Sequence, residues 1–169
     1  RRESSMSAIA DESGVDVIGV RSAPIEPIPG GGAINSLLFW RGLHARLRAL
    51  TGSGDWIIGV GRPSVLAVWA LEELQRKLGF YDAMDDFPAF YSGLSAFSMA
   101  RRERQVVDRT EARFCSSHRL VKKFRDIGCD AELVLNGYDM SLLPSPLPET
   151  DRRYVGYVGT IGQWFDWPL

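Results

Sequence analysis

From Trp56 onward, short apolar runs alternate with longer stretches whose apolar residues recur every three or four positions, and this alternation constrains the fold most. Trp56 to Val60 is an apolar run of strand length ending in GVGRP. Ser64 then suits a helix cap, followed by Val65, Val68, Leu71, Leu74 and Leu78 at helical spacing. Leu78 to Tyr81 is the next strand, and Leu94 to Thr110 the next helix, with Val106 and Val107 inward and RRERQ as a solvated face. Ala112 to Cys115 reads as a strand. Ser116 or Ser117 caps a helix through Leu120, Val121, Phe124 and Ile127, which Gly128 closes. Ala131 to Leu135 is a final strand before the turn NGYD. Strand and helix in regular alternation predict an α/β fold, a Rossmann-like parallel sheet with helices on both faces and right-handed crossovers.

The segments ahead of this alternation are less regular. Arg1 to Ser13 carries Met6, Ile9 and Ala10 among polar residues before Gly14, a pattern suited to a helix with a glycine cap. Val15 to Val20 (VDVIGV) reads as a buried strand, and Ser22 to Gly32, rich in Pro and Gly, as a loop. Asn35 to Leu50 places Leu37, Trp40, Leu43, Leu47 and Leu50 on one stripe, with Arg41, Arg46 and Arg48 elsewhere. A helix of that kind packs on a sheet or lies on a lipid surface, and peripheral membrane contact is the second expectation.

Composition closes several routes. With 45% hydrophobic residues, 169 residues supply one well-buried core and little more. Twenty basic against 21 acidic side chains leave a net charge of −1, so no global field attracts nucleic acid. No apolar run approaches the roughly 18–20 residues of a membrane span, and RRESSMSAIA lacks the apolar core of a signal peptide. Cys115 and Cys129 have no metal or redox spacing, and His44 and His118 fall in separate helices, so neither a zinc site nor a Ser-His-Asp triad is expected.

The densest carboxylate cluster is YDAMDDFPAF, where Asp82, Asp85 and Asp86 directly follow a strand. Open parallel sheets bind ligands at the carboxyl edge of their strands, so this is the predicted site. Adjacent Asp85 and Asp86 repel if both are dry and ionised, so one of them is expected to be solvated, hydrogen-bonded or raised in pKa. Turn or capping duty is the plainer reading for each aspartate alone. Arg62, at the same edge, either clamps a phosphate or carboxylate or pairs with Asp85 or Asp86. Glu103 lies on the long helix in a position to point towards the cleft.

After Met140 the composition changes. Ser141 to Thr150 (SLLPSPLPET) reads as a linker, and Tyr154 to Val158 as a new strand leading into GTIGQW and a helix start. Half a supersecondary unit cannot bury its own apolar face, which points to a further domain. The missing initiating Met points the same way, to a fragment or a processed product. The expected division is 1–140 as the main domain, 141–152 as linker and 153–169 as the start of the next.

Four segments in this order, YDAMDDFPAF, ERQVVDRTEARFCSSHRL, LVLNGYD and YVGYVGTIGQWFDW, resemble the N-terminal half of glycosyltransferases with two Rossmann-like domains, the GT-B fold. The likeness is nearest to bacterial group 1 enzymes of envelope and capsular polysaccharide synthesis. It implies a retaining, metal-independent transfer from a nucleotide-sugar donor to a saccharide or lipid-linked acceptor, with the acceptor on this half. It implies a cytoplasmic protein, with contact at the inner membrane face through Asn35 to Leu50. Asp85 matches the Asp of the family's His-Asp pair, while Met84 stands where the His would be. Asp86 joins it as a catalytic candidate, and Arg62, Asp82 and Glu103 as substrate-binding ones. Asn136, Gly137 and Asp139 match the family's NGVD turn, and Asn136 and Gly137 are carried over as substrate-binding. Gly159, Thr160 and Gly162 match the donor-binding loop, where a tight turn is the alternative role. A nucleotide-sugar epimerase of the same architecture and a non-catalytic sugar- or partner-binding domain are the two rivals, since fold does not fix function.

Overall fold

The structure, a computed structural model, describes residues 8–10, 16–52, 54–74, 76–142, 156 and 159. The chain divides into two compact units, 1–136 and 137–169.

The first unit is built on a four-stranded parallel sheet. Its strands are β3 (Ile57–Val60), β4 (Leu78–Ala83), β5 (Ala112–Cys115) and β6 (Glu132–Leu133), side by side in chain order. Helices α3 (Val65–Glu73), α4 (Gly93–Val107) and α5 (His118–Asp126) form the crossovers. This is the expected Rossmann-like α/β alternation, but not the expected helices on both faces: α3, α4 and α5 all pack on the face that holds Tyr81, because right-handed crossovers that step the same way stay on one side. Along β4 burial alternates, with Gly79, Tyr81 and Ala83 buried. That face meets Val68 and Leu71 of α3, Val106 and Val107 of α4, and Leu120 and Phe124 of α5 in one core. The other face carries Phe80 and Phe114 edge to face at 5.9 Å. Gly59 belongs there because a Cβ at this position would fall 2.5 Å from the Phe80 ring.

The helix boundaries follow their caps. Ser64 accepts a hydrogen bond from the Ala67 amide and Ser117 one from the Leu120 amide, each satisfying an orphan donor of the first turn. The helix expected to run through Leu78 stops at Glu73, because Leu74 turns extended and the Lys77 amide already donates to the Trp56 carbonyl, opening the β3–β4 ladder. Gly128, at φ 76, closes the turn after α5, where a side chain would be strained.

Three expectations for the first fifty residues are corrected. Asn35 to Leu50 is not one helix but two, α1 (Gly31–Leu38) and α2 (Arg41–Leu50), broken where Trp40 turns into the core at 2% exposure. The break arises because α1 buries Asn35, together with Gly31 and Gly32, and leaves Leu37 exposed. Its side chain donates to the Ala23 carbonyl and accepts from the Ala23 amide, anchoring the preceding loop. That helix also begins earlier than expected, at Gly31, because Gly31 and Gly32 let it press close. A Cβ on Gly32 would overlap Val65 at the start of α3. The helix expected over Arg1 to Ser13 is absent from its described part: β1 (Ala8–Ala10) pairs antiparallel with β2 (Asp16–Ile18). β2 falls within the predicted strand Val15 to Val20, but Val17 is half-exposed and pairs in this ribbon instead of the parallel sheet. A short connection permits only the antiparallel pairing, since parallel strands need a long crossover.

At the amino edge of the sheet the charges brace the scaffold. Arg76 binds both Glu111 oxygens at 2.9 Å, and the Gly79 amide donates to the same carboxylate at 2.7 Å. The Arg76 contact holds the Glu111 carboxyl below its ordinary pKa. No helix of the described residues is long and apolar enough to cross a membrane.

Candidate functional site

β3 and β4 run parallel with Val60 beside Tyr81, so Arg62 and the loop after β4 emerge at the same carboxyl edge. β4 runs to Ala83, which puts Asp82 inside the strand, half-buried on the face opposite Tyr81. The loop that follows is held by β5: Ser116 donates from its hydroxyl to the Met84 carbonyl at 2.6 Å and from its amide to the Ala83 carbonyl. The two neighbouring aspartates part ways there. Asp85 is exposed and makes no side-chain hydrogen bond among the described residues, whereas the Asp86 carboxylate receives the Lys123 ammonium at 2.7 Å. One solvated and one paired carboxylate is how the repulsion between them is relieved.

Lys123 is the centre of a charge cluster in which only Glu103 is fully buried. It also donates to Glu103 Oε2 at 2.6 Å, and the Tyr81 hydroxyl donates to Glu103 Oε1 at 3.3 Å. Three crossover segments therefore meet at one ammonium: the loop after β4, α4 and α5. Glu103 is 3% exposed and turned inward, so it faces Lys123 and Tyr81 and not open solvent. Burial raises its carboxyl above the ordinary range, opposed by the Lys123 hydrogen bond. Burial and the nearby Glu103 also push the Tyr81 phenol far up and the Cys115 thiol to about 11, leaving both protonated and inert as nucleophiles at neutral pH.

Arg62 is exposed and donates to the Tyr91 hydroxyl at 2.8 Å, not to either aspartate. Its guanidinium keeps further donors for a ligand. Asn136, exposed, closes the first unit, and Gly137 opens the second. In the second unit Asp139 accepts from the Ser141 amide and hydroxyl, an Asx turn. Gly159 is exposed, while Thr160, Gly162, the proposed linker beyond Leu142 and the strand Tyr154 to Val158, apart from Gly156, lie outside the described residues. Among the described residues no group of three or more His, Cys, Asp or Glu is placed to hold a metal ion.

Lys123 escaped the reading of the sequence, yet a signal for it exists. Leu120, Lys123 and Phe124 share one stripe of α5, as Met99, Glu103 and Val106 share one of α4. A charge on an apolar stripe has to find a partner in the core, and these two find each other. Comparison of the chain with protein-family models, curated proteins and solved structures finds no match.

Proposed function

We propose that the first unit is the acceptor-side domain of a GT-B glycosyltransferase that moves a sugar from a nucleotide carrier to a saccharide or lipid-linked acceptor in polysaccharide synthesis. One observation carries the reading: a solvated Asp85 stands beside an Asp86 fixed by Lys123, at the ligand-binding edge of a Rossmann-like sheet. In the transfer, Asp85 accepts the proton of the acceptor hydroxyl as its oxygen bonds the anomeric carbon on the face from which the diphosphate leaves, so that the configuration is retained. The bond to the nucleoside diphosphate breaks, and its electron pair leaves on the diphosphate. Arg62 and Asp82 bind acceptor groups, and Asn136 and Gly137 complete the acceptor side. Backbone amides of Gly159, Thr160 and Gly162 receive the growing charge on the leaving group, without metal or cofactor. Lys123, held by buried Glu103, keeps Asp86 and its neighbour in place.

The test is release of nucleoside diphosphate when the full-length protein is incubated with a panel of nucleotide sugars and saccharide acceptors. Turnover with one donor supports the transferase; binding without release points to the non-catalytic sugar-binding rival; an interconverted donor points to the epimerase.

Contact with the inner membrane face, from the cytoplasm, is part of the same proposal. Ile34, Leu37, Leu38 and Phe39 of α1 and its cap are 48–66% exposed, next to exposed Arg41 and Arg46 of α2. An apolar patch beside cations suits an anionic bilayer surface. Co-sedimentation with phosphatidylglycerol vesicles is expected to weaken by about a hundredfold or more in Leu37→Asp/Leu38→Asp, since each leucine carries roughly 1.5–3 kcal/mol of burial. Equal binding by that variant removes the membrane contact.

A further inference from the structure

The parallel sheet stops at β3, whose outer edge pairs with no strand of the described residues. Beside that edge runs a groove of about 870 Å³, lined by Leu47 and Leu50 of α2, Leu66 and Ala70 of α3, and Ile57 and Gly59 of β3. Trp56 and Ile57, at the start of the strand, are 44% and 59% exposed. A flat, apolar, unpaired edge is a template for another strand.

The structure also indicates which strand fits. The three described crossovers step the same way along the sheet, and α3, α4 and α5 pack on the one face that holds Tyr81. Right-handedness requires this of consecutive parallel units. α1 and α2 pack against α3: Gly32 lies on Val65, and His44 stacks on Trp69 at 3.8 Å. They thus occupy the place of a fourth crossover helix, lacking only the strand that should lead into it. The segment just before them is VDVIGV, an apolar run of the kind found in strands of parallel sheets.

The chain that follows this run is pinned where such a strand would end. Ala23 is held by the buried Asn35 amide, and Glu26 Oε1 accepts the Val65 amide at 2.6 Å, at the first residue of α3 and just beyond the carboxyl end of β3. From Val20 to Ala23 the chain can reach about 10 Å, and a neighbouring strand needs about 4.8 Å. Val17, in the ribbon with β1, and Val20, just beyond it, keep 47% and 37% of their surface exposed.

We infer that Asp16–Val20 has a second seat, as a fifth parallel strand along the free edge of β3, with α1 and α2 as its right-handed crossover. In that seat Ile18 and Val20, which share one face of a strand, enter the groove between α2 and α3, and Val17 lies on the opposite face. The Arg21–Ser22 backbone then joins the carboxyl edge beside Arg62.

Hydrogen exchange on the full chain tests this at the Ile57–Val60 amides that point away from β4. They are expected to exchange at least about tenfold more slowly than the loop amide of Asp55. Val17→Pro is expected to abolish that protection, while Ile9→Pro, which disrupts only the β1–β2 ribbon, leaves it intact. Loop-like exchange of those amides in the unaltered protein overturns the inference, as does protection that vanishes on dilution, which would mean a second copy on the edge. Should Val17→Pro fail to fold, a cysteine scan decides. Single cysteines at Val17, Ile18 and Gly19, each paired with Ile58→Cys in a Cys129→Ser background, give a monomeric disulfide in at least one pairing if the strand docks. None in any pairing overturns it.

Discussion

Lys123→Met is expected to destabilise the first unit by about 3 kcal/mol, because it leaves Glu103 and Asp86 without the cation they share. The estimate sits at the low end for a broken buried pair, since the Lys123 and Asp86 side chains keep 29% and 33% exposure. At this chain length the melting temperature would fall by about 10 °C, readable by calorimetry. The loss should depend on pH. Burial raises the Glu103 carboxyl in the folded protein, so above the ordinary carboxylate range the folded state binds more protons than the unfolded one. The Glu103 contribution to stability therefore weakens as pH rises from the ordinary value through the raised one. Without Lys123 to oppose the rise, that window extends higher, and the deficit of Lys123→Met should be largest near neutrality and shrink in acid. The double variant Lys123→Met/Glu103→Leu also removes the buried carboxylate that the single variant strands and should recover most of the loss. A deficit indifferent to pH, or a double variant no better than the single, would show that the cluster does not hold the fold.

Asp85→Ala should behave in the opposite way. The side chain is exposed and bonded to nothing among the described residues, so thermal stability should stay within about 0.5 kcal/mol of the parent. Diphosphate release, by contrast, should fall by about a hundredfold or more, the contribution of a general base. Asp86→Asn weakens the Lys123 contact and should lower both stability and turnover. Full activity in a folded Asp85→Ala protein would remove Asp85 from the chemistry and leave the edge to Asp86 or Arg62.

Much of this arrangement is written locally. β3, β4 and β5 are short apolar runs between helices whose Ser caps and glycine stop are visible residue by residue, because hydrogen bonds of caps and turns involve neighbours in the chain. Asp85 and Asp86 could be placed at the carboxyl edge for the same reason. What distinguishes them could not be read, since the partner of Asp86 lies 37 residues away on α5. Lys122 and Lys123 are adjacent and chemically identical, yet one pairs on the surface with Asp126 and the other enters the core. Only the packing of α5 on Tyr81 decides between them, through Phe124 at 5.9 Å from that ring. The first fifty residues misled because their apolar spacing suits a single long helix, while one polar residue, Asn35, was worth burying for the two hydrogen bonds it makes to Ala23.

The order of the strands has a consequence for synthesis. β3, β4, β5 and β6 lie in space in the order in which they are made, so each new βα unit emerges from the ribosome beside a neighbour already in place. Every ladder closes across one crossover, and none waits for a distant segment, which keeps loop-closure entropy low and shortens the life of sticky intermediates. Vectorial growth of this kind shields nascent chains from misassembly, and it leaves β3, the first of these four strands to be made, as the seed on which the other three assemble.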